Sequence, residues 1–264
     1  MIINAASSCW SGLKIQDAVE KIVNGETFEP LLGTISSNHI QICPQHINYF
    51  DEDVADDLVN RFPQTQFRLH ADVRLKNKRG YSVDLSDFNQ DTKWYFEELS
   101  QYSKKLGSKA YSLHAGKRKV SLGEFKEQYL SVQEIFGNTK VVVEGLYPTA
   151  QKKWIIDCWE EYVWLADNNI PYALDLSHLK ILEKKFGAED NLIKELIDND
   201  LCEEIHISFN DGILDSHEIA QIKFQSTFDK YCDFLKNKKA HSVIFTEGNQ
   251  VLHQIKEKKK NTNV

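Results

Sequence analysis

The chain has 264 residues, of which 41% are hydrophobic and 27% are charged. This balance is typical of a folded globular protein and excludes a disordered or low-complexity chain. The formal net charge of −7 provides no general attraction to a nucleic-acid backbone, so a nucleic-acid partner is disfavoured. A local group of basic residues could still hold a single phosphate.

Membrane and disulfide signals are absent from the sequence. No segment reaches the roughly 18 uninterrupted apolar residues of a membrane span, and the first residues lack a basic region followed by an apolar one. The five cysteines are odd in number and include no CxxC pair, which indicates reduced packing thiols. We therefore expect a cytoplasmic protein without a membrane partner.

Short apolar segments alternate with amphipathic segments along the whole chain. This is the pattern of βα units around a parallel sheet. Eight segments predict strands, at residues 2–5, 39–43, 66–70, 110–114, 140–144, 172–175, 204–207 and 242–246. Eight such units in about 250 residues are typical of a TIM barrel.

The segments between the strands carry apolar residues at steps of three and four, which predicts helices that pack one face on the sheet. Ser121 and Glu124 form a capping-box pattern, and Gly107 and Gly137 follow the last apolar residue of their helices. We predict an α/β protein with a single (β/α)₈ TIM-barrel domain over residues 1–264. The basic tail at 256–264 is expected to fray.

Metal-binding side chains occur at or just after the ends of six successive predicted strands. These residues are His70, His114, Glu144, Asp175, His206 and Glu247. Because parallel strand ends open on one face of a barrel, the six side chains should converge. A lone histidine or glutamate at such a position is usually structural, but that interpretation would have to hold on six consecutive strands.

Three further residues extend this candidate metal site to nine: His178, Asp215 and His217. One ion takes three or four protein ligands and keeps an open position, so nine ligands predict two or three ions. A mixture of imidazole and carboxylate suits divalent Zn, Mn or Fe. His178 could instead contact Asp175 and hold that carboxylate in position without binding an ion itself.

The motifs around these residues resemble the xylose-isomerase-like TIM-barrel superfamily over most of the chain. The matching segments are LHA at His70, LHAG at His114, VVVEG at Glu144, LDLSH at Asp175 and His178, IHIS at His206, DSH at Asp215 and His217, and FTEGN at Glu247. The superfamily includes endonuclease IV, sugar-phosphate isomerases and epimerases, and multinuclear iron oxidases that modify peptides. The nine-residue set looks most like the trinuclear site of endonuclease IV.

Three functions follow from this resemblance. In an isomerase or epimerase of a sugar or sugar phosphate, Glu144 and Glu247 are the catalytic residues and move a proton between adjacent carbons. The segment NDGILDSH, which begins at Asn210, favours this branch, whereas EGLYP after the strand of Glu144 departs from endonuclease IV. One alternative is an endonuclease IV-like, metal-dependent phosphoester hydrolase. The other is a multinuclear non-heme iron oxidase that modifies a peptide or a small molecule, for which a peptide or protein partner is possible. The peptide-modifying oxidases have Asn where this chain has His178.

Basic residues in two loops are candidates for binding an anionic substrate. These basic residues follow the third and fourth predicted strands and are Arg74, Lys76, Lys117 and Arg118. Asn210, which follows the seventh predicted strand, is a further candidate for substrate binding. A solvated loop is an equally good interpretation of the basic residues. A homodimer is possible, because exposed barrel helices often pair.

Overall fold

The structure, a computed structural model, describes residues 1–75, 83–151, 153–236 and 241–262, with side chains described as far as residue 258. Eight parallel strands form one sheet in the order β3-β2-β1-β8-β7-β6-β5-β4. Their bounds are β1 Ile3–Ala6, β2 Ile35–Ile42, β3 Gln66–Leu69, β4 Ala110–His114, β5 Lys140–Glu144, β6 Tyr172–Asp175, β7 Cys202–Ile207 and β8 Val243–Thr246. A parallel bridge between His70 and Ser112 joins the two edge strands, so the sheet is a nearly closed barrel.

Helices connect successive strands and confirm the predicted (β/α)₈ TIM barrel. They are α1 Ile15–Val23, α2 Glu52–Arg61, α3 Lys93–Lys105, α4 Leu122–Phe136, α5 Trp159–Asp167, α6 Leu176–Phe186, α7 Asp190–Asp198, α8 Gln225–Lys236 and α9 Gln250–Thr262. The backbone of the tail that was expected to fray is thus helical as far as Thr262. Among the helices of the described residues, none is both long and apolar enough to cross a membrane.

The ends of α4 show how local sequence sets a helix. The Ser121 hydroxyl accepts a hydrogen bond from the Glu124 amide at 3.3 Å, and the Glu124 carboxylate accepts one from the Ser121 amide at 2.8 Å. This is the predicted capping box, which satisfies amides that have no partner in the first turn. The helix ends at Gly137, whose φ of 59° lies in the left-handed region that glycine adopts without a steric cost.

The second strand is the one that differs most from its prediction. β2 begins at Ile35, four residues before the predicted start at His39. Ile35 and Ser36 pair with the start of β1, after which a register shift absorbs the residues before Ile40. Because most residues of this bulged segment are polar, the first half of β2 lacks the continuous apolar character that predicts a strand from sequence.

Side chains divide between two layers around the sheet. In β5, Val141 and Val143 pack in the large apolar layer between strands and helices. Alternate residues face the barrel interior, where Ala110, Val142 and Ala173 form a separate small cluster. Since side chains alternate along a strand, the next residue on the inner face of β5 is Glu144, at the C-terminal mouth of the barrel.

Candidate metal centre

The candidate ligands converge on one cavity of about 310 Å³ at the C-terminal mouth of the barrel. We call it the mouth cavity, and it is lined by Gln45, His70, Asp72, Asp84, His114, Glu144, Leu146, Tyr147, Trp154, His178, Asp215, His217 and Glu247. Seven of the nine predicted ligands are in this lining. The other two, Asp175 and His206, are fully buried and contact the same cluster.

Glu144 lies at the centre of four imidazoles. Its Oε2 is 3.4 Å from His70 Nε2, 3.3 Å from His206 Nδ1 and 4.0 Å from His114 Nε2. Its Oε1 is 3.5 Å from His178 Nδ1. The strand ends therefore place imidazoles from β3, β4 and β7, together with one from α6, around a single carboxylate.

A second group of ligands lies on the β6 to β8 side. Asp215 Oδ2 is 3.3 Å from His178 Nε2 and 3.0 Å from His217 Nε2. His178 Nε2 is also 3.4 Å from Asp175 Oδ2, and His217 Nδ1 is 3.5 Å from Glu247 Oε2. The backbone of His217 has a φ of 43°, a strained conformation of the kind that clusters at functional sites.

The start of α6 explains how Asp175 and His178 come together. Asp175 ends β6 and caps α6, and its Oδ1 accepts a hydrogen bond from the Ser177 amide at 2.6 Å. His178 is the third residue of the helix, so its ring lies on the same turn as the Asp175 carboxylate. The cap uses one carboxylate oxygen and leaves Oδ2 for the ligand cluster.

Three buried polar atoms of the cluster have no hydrogen-bond partner: Glu144 Oε2, Asp175 Oδ2 and His206 Nδ1. Buried polar atoms are almost always satisfied, and cations bound within the cluster would satisfy these three. Ligand atoms within 4.8 Å of one another include the sets His70–His206–Glu247, His70–His114–Glu144 and Glu144–Asp175–His178. The residues therefore fit a divalent metal centre with imidazole and carboxylate ligands.

Three of the five candidate histidines hold one ring nitrogen against a neighbouring protein group and direct the other towards the cluster. This arrangement fixes the ring orientation, as in other metal sites. The pairs are His70 Nδ1 with the Ser112 hydroxyl at 3.0 Å, His178 Nδ1 with the Gly145 carbonyl at 3.0 Å, and His206 Nε2 with the Glu204 carboxylate at 3.1 Å.

The charges of the site perturb its titrating groups in opposite directions. Burial favours the neutral form of Glu144, but the charges of His206 and His70 outweigh burial and lower its pKa well below the usual range. Burial raises the pKa of Glu247 to about 7, although the nearby His206 and His217 act to lower it. Paired groups whose pKa values diverge in this way are typical of active sites.

Two acidic residues of the mouth cavity have no counterpart among the predicted ligands. Asp72 and Asp84 come from the connection between β3 and α3, and Asp84 Oδ1 is 3.7 Å from His114 Nδ1. Burial lowers the pKa of His114, but Asp84 and Glu144 outweigh burial and raise it to about 9. Asp72 follows His70 by two residues, so its position could have been inferred, whereas no spacing signals Asp84.

An apolar and aromatic wall also went unpredicted. Leu146, Tyr147 and Trp154 line the mouth cavity from the connection between β5 and α5, and the Tyr147 ring centroid is 5.0 Å from that of His178. Leu146 and Tyr147 follow Glu144 directly in the segment EGLYP, which could have indicated them. This wall gives the mouth cavity a face suited to the carbon skeleton of a ligand.

The four described candidates for substrate binding lie outside this lining. Arg118 forms ion pairs with Glu161 at 2.7 Å and Asp157 at 3.1 Å, so its guanidinium already has anionic partners. Asn210 donates a hydrogen bond to the Ser177 carbonyl at 3.0 Å and accepts one from the Gly212 amide at 2.8 Å. Its amide therefore braces the loop, and the substrate-binding roles of both residues stay predictions.

The other basic candidates lie around the rim. The Arg74 guanidinium is 6.0 Å from the Tyr49 ring centroid, and Lys117 is exposed beside Trp154 in an antiparallel bridge. Lys76 lies outside the described residues. The loops that carry these residues do follow β3 and β4, as expected, but anion binding by them stays a prediction.

Comparison with known proteins supports the fold at low sequence identity. No family model and no curated protein matches the chain. Among solved structures, a D-psicose 3-epimerase in the presence of D-fructose matches with a TM-score of 0.66 and 14% identity over 93% of this chain and 84% of that chain. The IOLI protein with a binding zinc atom matches with a TM-score of 0.61 and 15% identity over 94% and 88%.

Endonuclease IV from Thermus thermophilus matches with a TM-score of 0.53 and 17% identity over 87% of this chain and 86% of that chain. Together these matches confirm the TIM-barrel fold that the sequence predicted. One fold of this kind hosts many reactions, so the function has to be argued from the site.

Proposed function

We propose that the protein is a divalent-metal-dependent isomerase or epimerase that acts on a small polyhydroxylated substrate of the sugar class. The observation that carries the proposal is the position of two carboxylates about one imidazole nitrogen. His206 Nδ1 is 3.3 Å from Glu144 Oε2 and 3.8 Å from Glu247 Oε1. Both carboxylates line the mouth cavity, where they can contact adjacent carbons of one substrate.

The inner ligands Glu144, Asp175, His206 and Glu247 would hold the ion that serves this reaction. A divalent ion bound there would polarise a carbonyl and an adjacent hydroxyl and stabilise the charge that develops on them. In an isomerisation, one glutamate takes the proton from the carbon next to the carbonyl and a proton is returned to the former carbonyl carbon, while the hydroxyl proton moves to the former carbonyl oxygen. In an epimerisation, the other glutamate returns a proton to the opposite face of the same carbon. The opposed pKa shifts of Glu144 and Glu247 are consistent with one acid and one base.

The lining of the mouth cavity favours a neutral substrate. Among its described residues there is no lysine or arginine, while Gln45, Asp72 and Asp84 supply polar groups for hydroxyls. A volume of about 310 Å³ suits a small molecule. The aromatic wall of Tyr147 and Trp154 could pack on a sugar ring or chain. A sugar without a phosphate group fits these features better than a sugar phosphate.

Phosphoester hydrolysis is the second candidate, because some ligands have no metal-binding role in an isomerase with a single ion. These are His70 and His114 on one side and Asp215 and His217 on the other, and each pair shares the cavity with a further ligand. They allow a second and a third ion, which is the arrangement that would clamp a phosphate and activate a water. Endonuclease IV has the same fold.

The experiment that separates these functions begins with elemental analysis of protein purified without chelator, with and without oxygen. One labile manganese, cobalt or magnesium ion per chain, with exchange of a substrate carbon-bound proton for deuterium in a panel of ketoses and aldoses, supports the isomerase. Two or three zinc ions, with cleavage of bis-p-nitrophenyl phosphate or abasic DNA, supports the hydrolase. Two or three iron ions would contradict both functions and would indicate an oxidase. If no metal binds after reconstitution, the proposal of a metal centre itself is refuted.

A further inference from the structure

A buried ion pair lies within the barrel, next to the metal-ligand layer. Arg68 on β3 and Glu204 on β7 are each two residues before a predicted ligand, His70 and His206. Their side chains are 5% and 0% exposed, and Arg68 Nη1 donates a hydrogen bond to Glu204 Oε1. Because side chains alternate along a strand, both residues point to the same inner face as the ligands that follow them. We call this the barrel ion pair.

Stability alone does not explain an ion pair in this position. Removing two charges from water is costly, and well-packed apolar residues of similar size are often as stable or more stable. The interior of this barrel already contains such residues in Ala110, Val142 and Ala173. The barrel ion pair is therefore a candidate for a role in the site.

The contacts of Glu204 connect the pair to His206. While Oε1 accepts from Arg68, Oε2 accepts a hydrogen bond from Gln41 Nε2 at 2.8 Å and is 3.1 Å from His206 Nε2. Gln41 Nε2 also lies 3.1 Å from His206 Nε2, but its two hydrogens are donated to Glu204 Oε2 and to the Ser112 hydroxyl. A carboxylate oxygen and an unprotonated ring nitrogen would repel each other at 3.1 Å, so His206 Nε2 carries a proton. When an ion displaces the second proton of the ring, the other nitrogen, Nδ1, has a lone pair with which to bind that ion.

The geometry points to a positioning role: we propose that Arg68 and Glu204 hold His206 as its Nε2–H tautomer and present Nδ1 as a strong metal ligand between Glu144 and Glu247. His206 Nδ1 has no hydrogen-bond partner and lies 3.3 Å and 3.8 Å from these two carboxylates. A carboxylate behind a ligating histidine orients the ring and increases its basicity. This inference rests on the proposed metal centre and is independent of the reaction.

Arg68 is itself held in place, which makes the direction of the Glu204 carboxylate definite. Arg68 Nε donates to His39 Nε2 at 3.1 Å, and its guanidinium is 5.4 Å from the ring centroid of Phe245. Gln41 donates a further hydrogen bond to the Ser112 hydroxyl at 3.2 Å. Residues of β2, β4 and β8 thus brace the barrel ion pair, so its effect on His206 does not depend on a mobile loop.

The test replaces both residues of the barrel ion pair, so that neither charge is left buried without its partner. In the double variant Arg68→Met/Glu204→Leu, both charges are lost together and the apolar volume is largely kept. We expect it to fold and to bind Co²⁺ or Zn²⁺ about 10- to 100-fold more weakly than the wild type, the usual effect of losing a supporting carboxylate. If this variant does not fold, Arg68→Leu/Glu204→Met also removes both charges and the hydrogen-bond acceptor at position 204, and it serves the same comparison.

A matched control removes an ion pair that contacts no candidate ligand. Lys230 on α8 pairs with Glu183 on α6, and these side chains are 26% and 7% exposed. Lys230→Met/Glu183→Leu should keep wild-type metal affinity. Equal losses in both double variants would show a general effect on the fold and overturn the proposal.

Nitrogen-15 spectra of histidine-labelled protein give a readout that a purely structural ion pair would not change. With Zn²⁺ bound, the His206 signal, assigned by its absence in His206→Gln, should show a proton on Nε2. The Co²⁺ absorption spectrum should change in Arg68→Met/Glu204→Leu. Wild-type affinity in that variant, or a proton on Nδ1 in the wild type, would refute the positioning role. Failure of the wild type to bind any metal would instead overturn the metal centre.

Discussion

His114 and Glu144 are direct neighbours in the ladder between β4 and β5, and His114 Nε2 lies 4.0 Å from Glu144 Oε2. The register of two strands therefore brings an imidazole and a carboxylate together without help from a loop. Asp175 and His206 are paired in the same way between β6 and β7. Ligands placed by strand register are held by the backbone hydrogen bonds of the barrel, so the site is preorganised for a metal ion.

Substitution of either glutamate that we propose to be catalytic should separate activity from folding. Glu144→Gln and Glu247→Gln keep the side-chain shape but remove the charge that the proposed function uses to bind metal and to move a proton. We expect turnover to fall by about 10²- to 10⁴-fold, the usual contribution of general acid–base catalysis, with an unchanged circular dichroism spectrum. Glu127→Gln, at an exposed position on α4, is the control. Near-wild-type turnover in either variant would refute the site assignment.

The glycine after Glu144 is required by close packing. A Cβ at Gly145 would lie 2.4 to 2.6 Å from atoms of the Tyr162 phenol group, so Gly145→Ala forces the strand end or the buried Tyr162 side chain to move. We expect the free energy of unfolding to fall by about 1–3 kcal/mol and metal affinity to decrease. Gly123→Ala is a matched control, because its nearest contact is the Ser121 hydroxyl at 3.9 Å. Urea unfolding measures the stability of both variants, and equal stabilities would contradict the packing.

Glu29 supports the strand end next to Glu247 and should make stability depend on pH. Its carboxylate accepts hydrogen bonds from the Ala220 amide at 2.7 Å and the Thr246 hydroxyl. Burial raises its pKa from 4.5 to about 7, despite these hydrogen bonds. The folded state then binds a proton more tightly than the unfolded state, so this contribution is complete below pH 4.5 and is lost as pH rises to about 7.

The measurement for Glu29 compares urea unfolding at pH 5 and pH 8 in the wild type and in Glu29→Gln. Glu29→Gln cannot titrate at this position, so the difference between the two proteins isolates the effect of Glu29. We expect the wild type to lose about 2–3 kcal/mol more than the variant between these pH values. Parallel pH dependence in the two proteins would show that Glu29 does not titrate in this range.

Metal binding should release protons near neutral pH. Burial lowers the pKa of His217, but Asp215 and Glu247 outweigh burial and raise it to about 9, the value that His114 also has. Both rings are then protonated at pH 7.5 and must lose a proton to bind an ion, so affinity should rise with pH towards 9. Calorimetry of Zn²⁺ binding in buffers of different ionisation enthalpy counts the protons. His217→Gln should release about one proton fewer, and no difference would exclude His217 as a ligand.

The sequence by itself determined the barrel and the set of strand-end residues. Period-two alternation shows which residues of a strand share a face, and parallel strands bring their C-terminal ends to the same side of the barrel. His70, His114 and Glu144 could be placed at the mouth for this reason, although they are far apart in the chain. Strand length was less certain, because in β2 a bulge interrupts the apolar pattern.

Only the tertiary structure decided which side chains pair with which. Glu204 contacts Arg68, which is 136 residues away, and Arg118 is held by Glu161 in the first turn of α5. Such contacts depend on strand register across the barrel and on how loops pack, and neither is encoded in local periodicity. The sequence therefore predicts an anion-binding role for Arg118 and gives no sign that Glu204 contacts His206. The partner of a charged side chain depends on distances in the folded structure, and these distances cannot be derived from spacing along the chain.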